Sequence, residues 1–133
     1  MKRLTEKRQR GDFGELAAQR HLKSNGYRIL AIGYEAMGYE IDIVVESKEY
    51  VAFVEVKTRR IFPDDATVMT RPASAVDTEK QRHIISAARC WLAEHPLPRG
   101  RRCRFDVVEV YLDPTASADS LLRVHHIPGA FIA

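Results

Sequence analysis

The sequence predicts an α/β sandwich around a mixed β-sheet of about five strands, in the order α-β-β-β-α-β-β. Three observations predict it. Residues 39–46 and 50–58 read as two strands joined by the polar turn Ser47-Lys48-Glu49. Two longer segments repeat apolar residues at helical spacing, one stopped by Gly26 and the other by Pro96. The second of these separates the first strands from a further strand at 103–112, as a crossover helix would. With 133 residues and a 45% hydrophobic share, the chain reads as one domain, 1–133, with its own core.

Taken in order, residues 1–10 are polar and read as a mobile terminus. A helix is predicted over 12–25, with Phe13, Leu16 and Ala17 on its main apolar face. Glu15 falls on a second stripe with Ala18 and Leu22. The first strand covers 27–35. Residues 59–74 carry two prolines and no period, and read as a long loop over the site. The second helix covers 75–95, with Lys80 opening the stripe Ile84, Ala87, Ala88, Trp91 and Leu92, Trp91 in the core and His83 exposed. A short fifth strand covers 121–127, where His125 and His126 point to opposite faces, and the apolar tail 127–133 packs on the body or on a partner.

The net charge of +3 is unevenly spread. The first ten residues and the run Arg99, Arg101, Arg102 and Arg104 carry about +4 each, which leaves the remainder acidic. Fifteen of the 21 basic residues are Arg, a choice that suits bidentate phosphate contacts as well as solvated turns. No apolar run is long enough to span a membrane, and the charged N-terminus lacks a signal-peptide core, so a cytoplasmic location is expected. Cys90 and Cys103 form neither a metal-ligand cluster nor a disulfide framework.

Chemistry concentrates at the inner end of the predicted hairpin. Val51, Phe53, Glu55 and Lys57 share one strand face, and Glu40 and Asp42 share one face of the neighbouring strand. A turn near residue 48 sets Asp42 level with Glu55. Two carboxylates and an ammonium drawn towards a core are costly unless paired or bound to an ion. Either a divalent cation or a salt bridge from Lys57 to Glu55 or Asp42 answers that cost. Asp106 reads as the structural partner of Arg104.

Asp42, twelve residues, then Glu55-Val56-Lys57 resembles the PD-(D/E)xK nuclease signature. Gly11-Asp-Phe-Gly-Glu15, Gly26-Tyr27-Arg-Ile-Leu30, Glu40-Ile-Asp42, Phe53-Val-Glu-Val-Lys-Thr-Arg59, Ala75-Val76 with Lys80, and Arg104-Phe-Asp-Val107 occur in order along the chain. Together they resemble the YraN-like family of small bacterial proteins, itself similar to archaeal Holliday-junction resolvases. The chain departs from that pattern at Tyr39, where the family usually has Gly, and at Gly33-Tyr34-Glu35, where it has an Asn/Arg-rich segment.

The resemblance implies a restriction-endonuclease-like core and a metal-dependent endonuclease or resolvase-like protein of DNA repair or recombination. It implies Mg²⁺ or Mn²⁺ held by Asp42, Glu55 and the Val56 carbonyl, with Lys57 organising water and Glu15 and Lys80 completing the site. The expected partner is nucleic acid, branched or single-stranded DNA, contacted by Arg59, Arg60, Arg71, Arg101 and Arg102. Fold analogy with resolvases adds a homodimer. Two other classes stay open: a DNA-binding module that keeps the fold without efficient turnover, and a protein-interaction subunit that uses the apolar tail.

Overall fold

The computed structural model describes residues 6–61, 76–113 and 120–133, with the side chains of 6–12, 120 and 122 left out. Two helices cover opposite faces of one five-stranded sheet whose spatial order is β1-β2-β3-β4-β5. Along the chain the order is α1 (Glu6–Ser24), β1 (Arg28–Ala36), β2 (Tyr39–Glu46), β3 (Tyr50–Arg60), α2 (Thr78–Glu94), β4 (Arg102–Asp113) and β5 (Ser120–Phe131). Neighbouring strands run antiparallel except β3 and β4, which are parallel and joined through α2. The predicted architecture and element order therefore hold. No helix among the described residues is long and apolar enough to cross a membrane.

Each face has its own core. On the α1 side, Ala18 and Leu22 pack on Ile43, Val45, Ala52 and Val54 of the hairpin and on Val108, Val110 and Leu112 of β4. On the α2 side, Ile84, Ala87, Ala88 and Trp91 pack on Phe53, Phe105, Val107 and Phe131. The central strands β3 and β4 are thus apolar on both faces, as parallel strands flanked by helices must be.

The differences from expectation have local causes. α1 begins at Glu6, so residues 6–10, read as mobile, are helical, while 1–5 lie outside the described residues. Its buried stripe is Gly14, Ala18 and Leu22, the one that carries Glu15; Leu16, assigned to the main apolar face, is 44% exposed. Gly14 explains the choice of face. A β-carbon there would stand 2.1 Å from Thr58 Oγ1 on β3, so only glycine lets the helix backbone lie this close to the sheet. α2 begins at Thr78 because Asp77 caps it, its side chain accepting from the Lys80 N–H at 2.8 Å. β5 runs on to Phe131, where a short strand ending at 127 was expected. As an edge strand it tolerates Pro128, and Phe131 stacks on Phe105 at 5.0 Å. The proposed loop over the site, 59–74, starts later than predicted, since β3 continues to Arg60; residues 62–75, Arg71 among them, lie outside the described residues.

Candidate metal centre

Asp42 sits where two ladders break. Its β2 neighbours Ile41 and Ile43 pair with Tyr34 and Ile32 of β1, and between those two lies Gly33, in the left-handed region at φ 62°. That conformation suits glycine and costs other residues energy. On the other side, the pairing of β2 with β3 ends at Ile43 and Val54, one step short of Asp42 and Glu55. The predicted level of Asp42 with Glu55 therefore holds in register, at the point where the hairpin opens. Past the last rung, the Val56 N–H donates to Asp42 Oδ2 at 2.7 Å, so a side chain takes the place of a strand carbonyl.

Three acids gather there. Glu15 of α1 and Glu40 and Asp42 of β2 each offer a carboxylate oxygen, and these oxygens all lie within 4.8 Å of one another. Glu15 is delivered by the Gly14–Thr58 contact, one residue before it on the helix. Glu40 was absent from the predicted ligands. Its signal was present, since it shares a strand face with Asp42 two residues away.

Glu55 closes the group from β3. Its side chain is 12% exposed, its Oε1 stands 3.6 Å from Lys80 Nζ, and its Oε2 is buried with no hydrogen-bond partner among the described residues. Burial, and then the neighbouring Asp42 carboxylate, push the Glu55 carboxyl up to about 7; Lys80 and Lys57 pull against them. Burial also raises Asp42, against the opposing Val56 N–H. Both shifts come first from burial, which disfavours the charged form.

The Lys80 ammonium reaches the acids because Asp77 fixes the first turn of α2. One turn on, His83, expected to be exposed, stacks its ring on Tyr39 at 4.1 Å and 9° between planes.

Of the residues singled out in the sequence, Glu15, Asp42, Val56, Glu55, Lys57 and Lys80 converge. Arg59, Arg60, Arg101 and Arg102 do not. Arg59 lies two residues beyond Lys57, with its Nε 2.9 Å from Glu109 Oε2. Arg60 ends β3 and is exposed. Arg101 and Arg102 are at the far end of the sheet, where Arg102 pairs with Tyr50 at the start of β3. There Arg101 and Arg28 both bind Glu46, and Arg102 lies over the Tyr50 ring. The run from Tyr50 to Glu55 is about 17 Å along the strand. A single phosphate at the acids is out of their reach.

Asp106, read as structural, is fully buried and saturated. It accepts from Arg104 twice, from Gly129 N–H at 3.0 Å, and lies 2.8 Å from His126 Nε2. These partners outweigh its burial and hold the carboxyl below the usual range. An apolar groove of about 390 Å³ runs outside α1, lined by Phe13, Leu16, Ala17, Leu121 and Val124, and holds none of the clustered acids.

Fold and site together define an α/β sandwich protein with a carboxylate cluster at a fork in its sheet. The family described as "Uncharacterised protein family UPF0102" matches residues 14–110, a span that includes every converging residue. The chain belongs to this family, the YraN-like proteins. It is 38% identical over 125 residues to a UPF0102 protein of Moorella thermoacetica, covering 94% of this chain and 97% of that one. It is 37% identical over 128 residues to one from Myxococcus xanthus, covering 96% and 93%. A UPF0102 protein of Desulfosudis oleivorans is 40% identical over 107 residues, covering 80% and 82%.

Proposed function

We propose that this protein is a metal-dependent endonuclease of resolvase-like type, hydrolysing phosphodiester bonds in branched or single-stranded DNA. The observation that carries the reading is the meeting of Glu15, Glu40 and Asp42 within 4.8 Å, with Glu55 beside them and two lysines at hand. The donors fit a small hard cation. They are all carboxylate oxygens, the preference of Mg²⁺ and Mn²⁺, and one buried Glu55 oxygen has no partner among the described residues. A cation would also offset the burial that raises Asp42 and Glu55, and the Asp42 charge that adds to it at Glu55.

Asp42 and Glu55 would hold the ion, with the Val56 carbonyl, Glu15 and Glu40 as further oxygen donors. When bound, the ion acidifies water and offsets charge on the phosphate. Lys57 directs the attacking water towards phosphorus. Lys80 holds the Glu55 carboxylate in place from the α2 side. A P–O bond to water forms as the bond to one ester oxygen breaks, and the departing oxygen takes up a proton. The restriction-endonuclease-like core, a role in DNA repair or recombination and a homodimer belong to the same proposal.

The test is nicking of branched and single-stranded DNA by the purified protein with Mg²⁺ or Mn²⁺. Glu55→Ala and Asp42→Asn are expected to abolish cutting and to weaken Mn²⁺ binding in calorimetry. A parent protein that binds DNA and never cuts, across metals and substrates, ends the nuclease reading and leaves a binding module.

A further inference from the structure

Glu109 lies in the middle of β4, 1% exposed, between Val108 and Val110. Nothing in the proposed hydrolysis uses it. A carboxylate sealed this well weakens a fold unless cations meet it, and an apolar residue of similar volume would serve stability as well or better. Besides Tyr111, two residues on along β4, two side chains from the flanking strands meet it. Arg59 reaches Oε2 from β3, and His125 Nδ1 stands 3.6 Å from Oε1 on β5. Each keeps an open side, with 34% of the Arg59 side chain and 42% of the His125 side chain exposed.

The register places this trio beside the metal centre. Glu109 pairs with Lys57 of β3 and with His125 of β5. Glu55, Lys57 and Arg59 succeed one another on one face of β3, each step being about 6.6 Å. That step is on the scale of one nucleotide along an extended strand. The buried carboxylate thus gathers an arginine and a histidine from the strands on either side of β4, Arg59 Nε 2.9 Å from Oε2 and His125 Nδ1 3.6 Å from Oε1, each partly exposed.

We propose that Arg59 and His125, seated on Glu109, form a second phosphate subsite that receives the nucleotide next to the scissile one. The direction of the strand rests on the reading of the acids as the hydrolytic centre; the binding chemistry does not. The ligand meets only the exposed guanidinium and imidazole, since Glu109 is sealed beneath them. Glu109 is a positioning residue: it accepts from Arg59 at 2.9 Å, and its second oxygen, which has no other partner among the described residues, faces His125 at 3.6 Å.

The test uses the full chain and a short oligothymidylate, with and without Ca²⁺, so that no cleavage is required. In ¹H–¹⁵N spectra the imidazole signal of His125, identified by its loss in His125→Ala, is expected to move on titration. The dissociation constant from fluorescence anisotropy is expected to rise about tenfold in His125→Ala and at least as much in Arg59→Gln. A His125 signal that stays still at saturating oligonucleotide overturns the subsite, as does an unchanged dissociation constant in His125→Ala with an intact melting temperature. Should Arg59→Gln fail to fold, the His125 signal and His125→Ala still decide. A protein that cuts DNA with His125 untouched loses the subsite and keeps the nuclease reading; one that binds through His125 and never cuts does the reverse.

Discussion

Replacing Glu55 by Gln should stabilise the metal-free protein at neutral pH and, on the proposed nuclease reading, abolish DNA cutting. The Glu55 carboxyl rises from an ordinary 4.5 to about 7 on folding. Each tenfold change in proton affinity is worth about 1.4 kcal/mol, so the ionised group is penalised by about 3 kcal/mol. With only 12% of the side chain exposed, solvent screening takes back little of this. Between those two values the folded protein keeps a proton that the unfolded chain has released, so raising the pH favours unfolding. The penalty is absent below pH 4.5, grows through the window and is complete above about 7. Glu55→Gln keeps the volume and removes the charge. Urea unfolding of both proteins at pH 5 and pH 8, with chelator, is the assay. The variant should gain about 3 kcal/mol over the parent at pH 8 and little at pH 5. Added Mg²⁺ should close the gap by stabilising the parent alone. A variant less stable than its parent at pH 8 would refute the account of a strained carboxylate cluster.

Other perturbations address the supports of the site. Gly14→Ala puts a methyl group 2.1 Å from Thr58 Oγ1, and overpacking of this kind costs about 1–3 kcal/mol. It should also weaken Mn²⁺ binding by moving Glu15, and adding Thr58→Ala should recover both losses; calorimetry and a thermal melt read them. Arg104→Ala leaves Asp106 buried with only His126 and Gly129, at about 3 kcal/mol in urea unfolding. Because Asp106 lies below its ordinary 3.8, the stability it contributes is present above that value and lost as pH falls through the lower one. The parent should therefore unfold at lower pH than Arg104→Ala in an acid titration followed by circular dichroism.

The fold was legible because its signals are local. Helical spacing gave α2 with Trp91 in its core, and the polar turn Ser47-Lys48-Glu49 set the register that levels Asp42 with Glu55. Residues of the Asp…Glu-x-Lys spacing lie together, and Lys80, at the start of a helix stripe, comes within 3.6 Å of Glu55. Failure came where position depends on a distant partner. Leu16 and Ala18 were both plausible inward residues of α1, and only the Gly14–Thr58 contact decides between them. Arg101 and Arg102 form a basic run in sequence, yet their charge falls at the far end of the sheet, partly cancelled by Glu46. Glu109 carried a visible oddity, an acid inside an apolar run, but its partners come from β3 and β5.

Twice in this sheet an aspartate repairs a broken rung, Asp42 for the Val56 amide and Asp106 for the Gly129 amide. The repairs differ in their electrical finish. Around Asp106 every valence is consumed by arginine, histidine and backbone, which makes that joint inert. Around Asp42 the surplus is negative, so the same carpentry leaves an appetite for positive charge. A seam in the ladder keeps a surplus of negative charge or loses it according to how many cations the neighbouring strands supply.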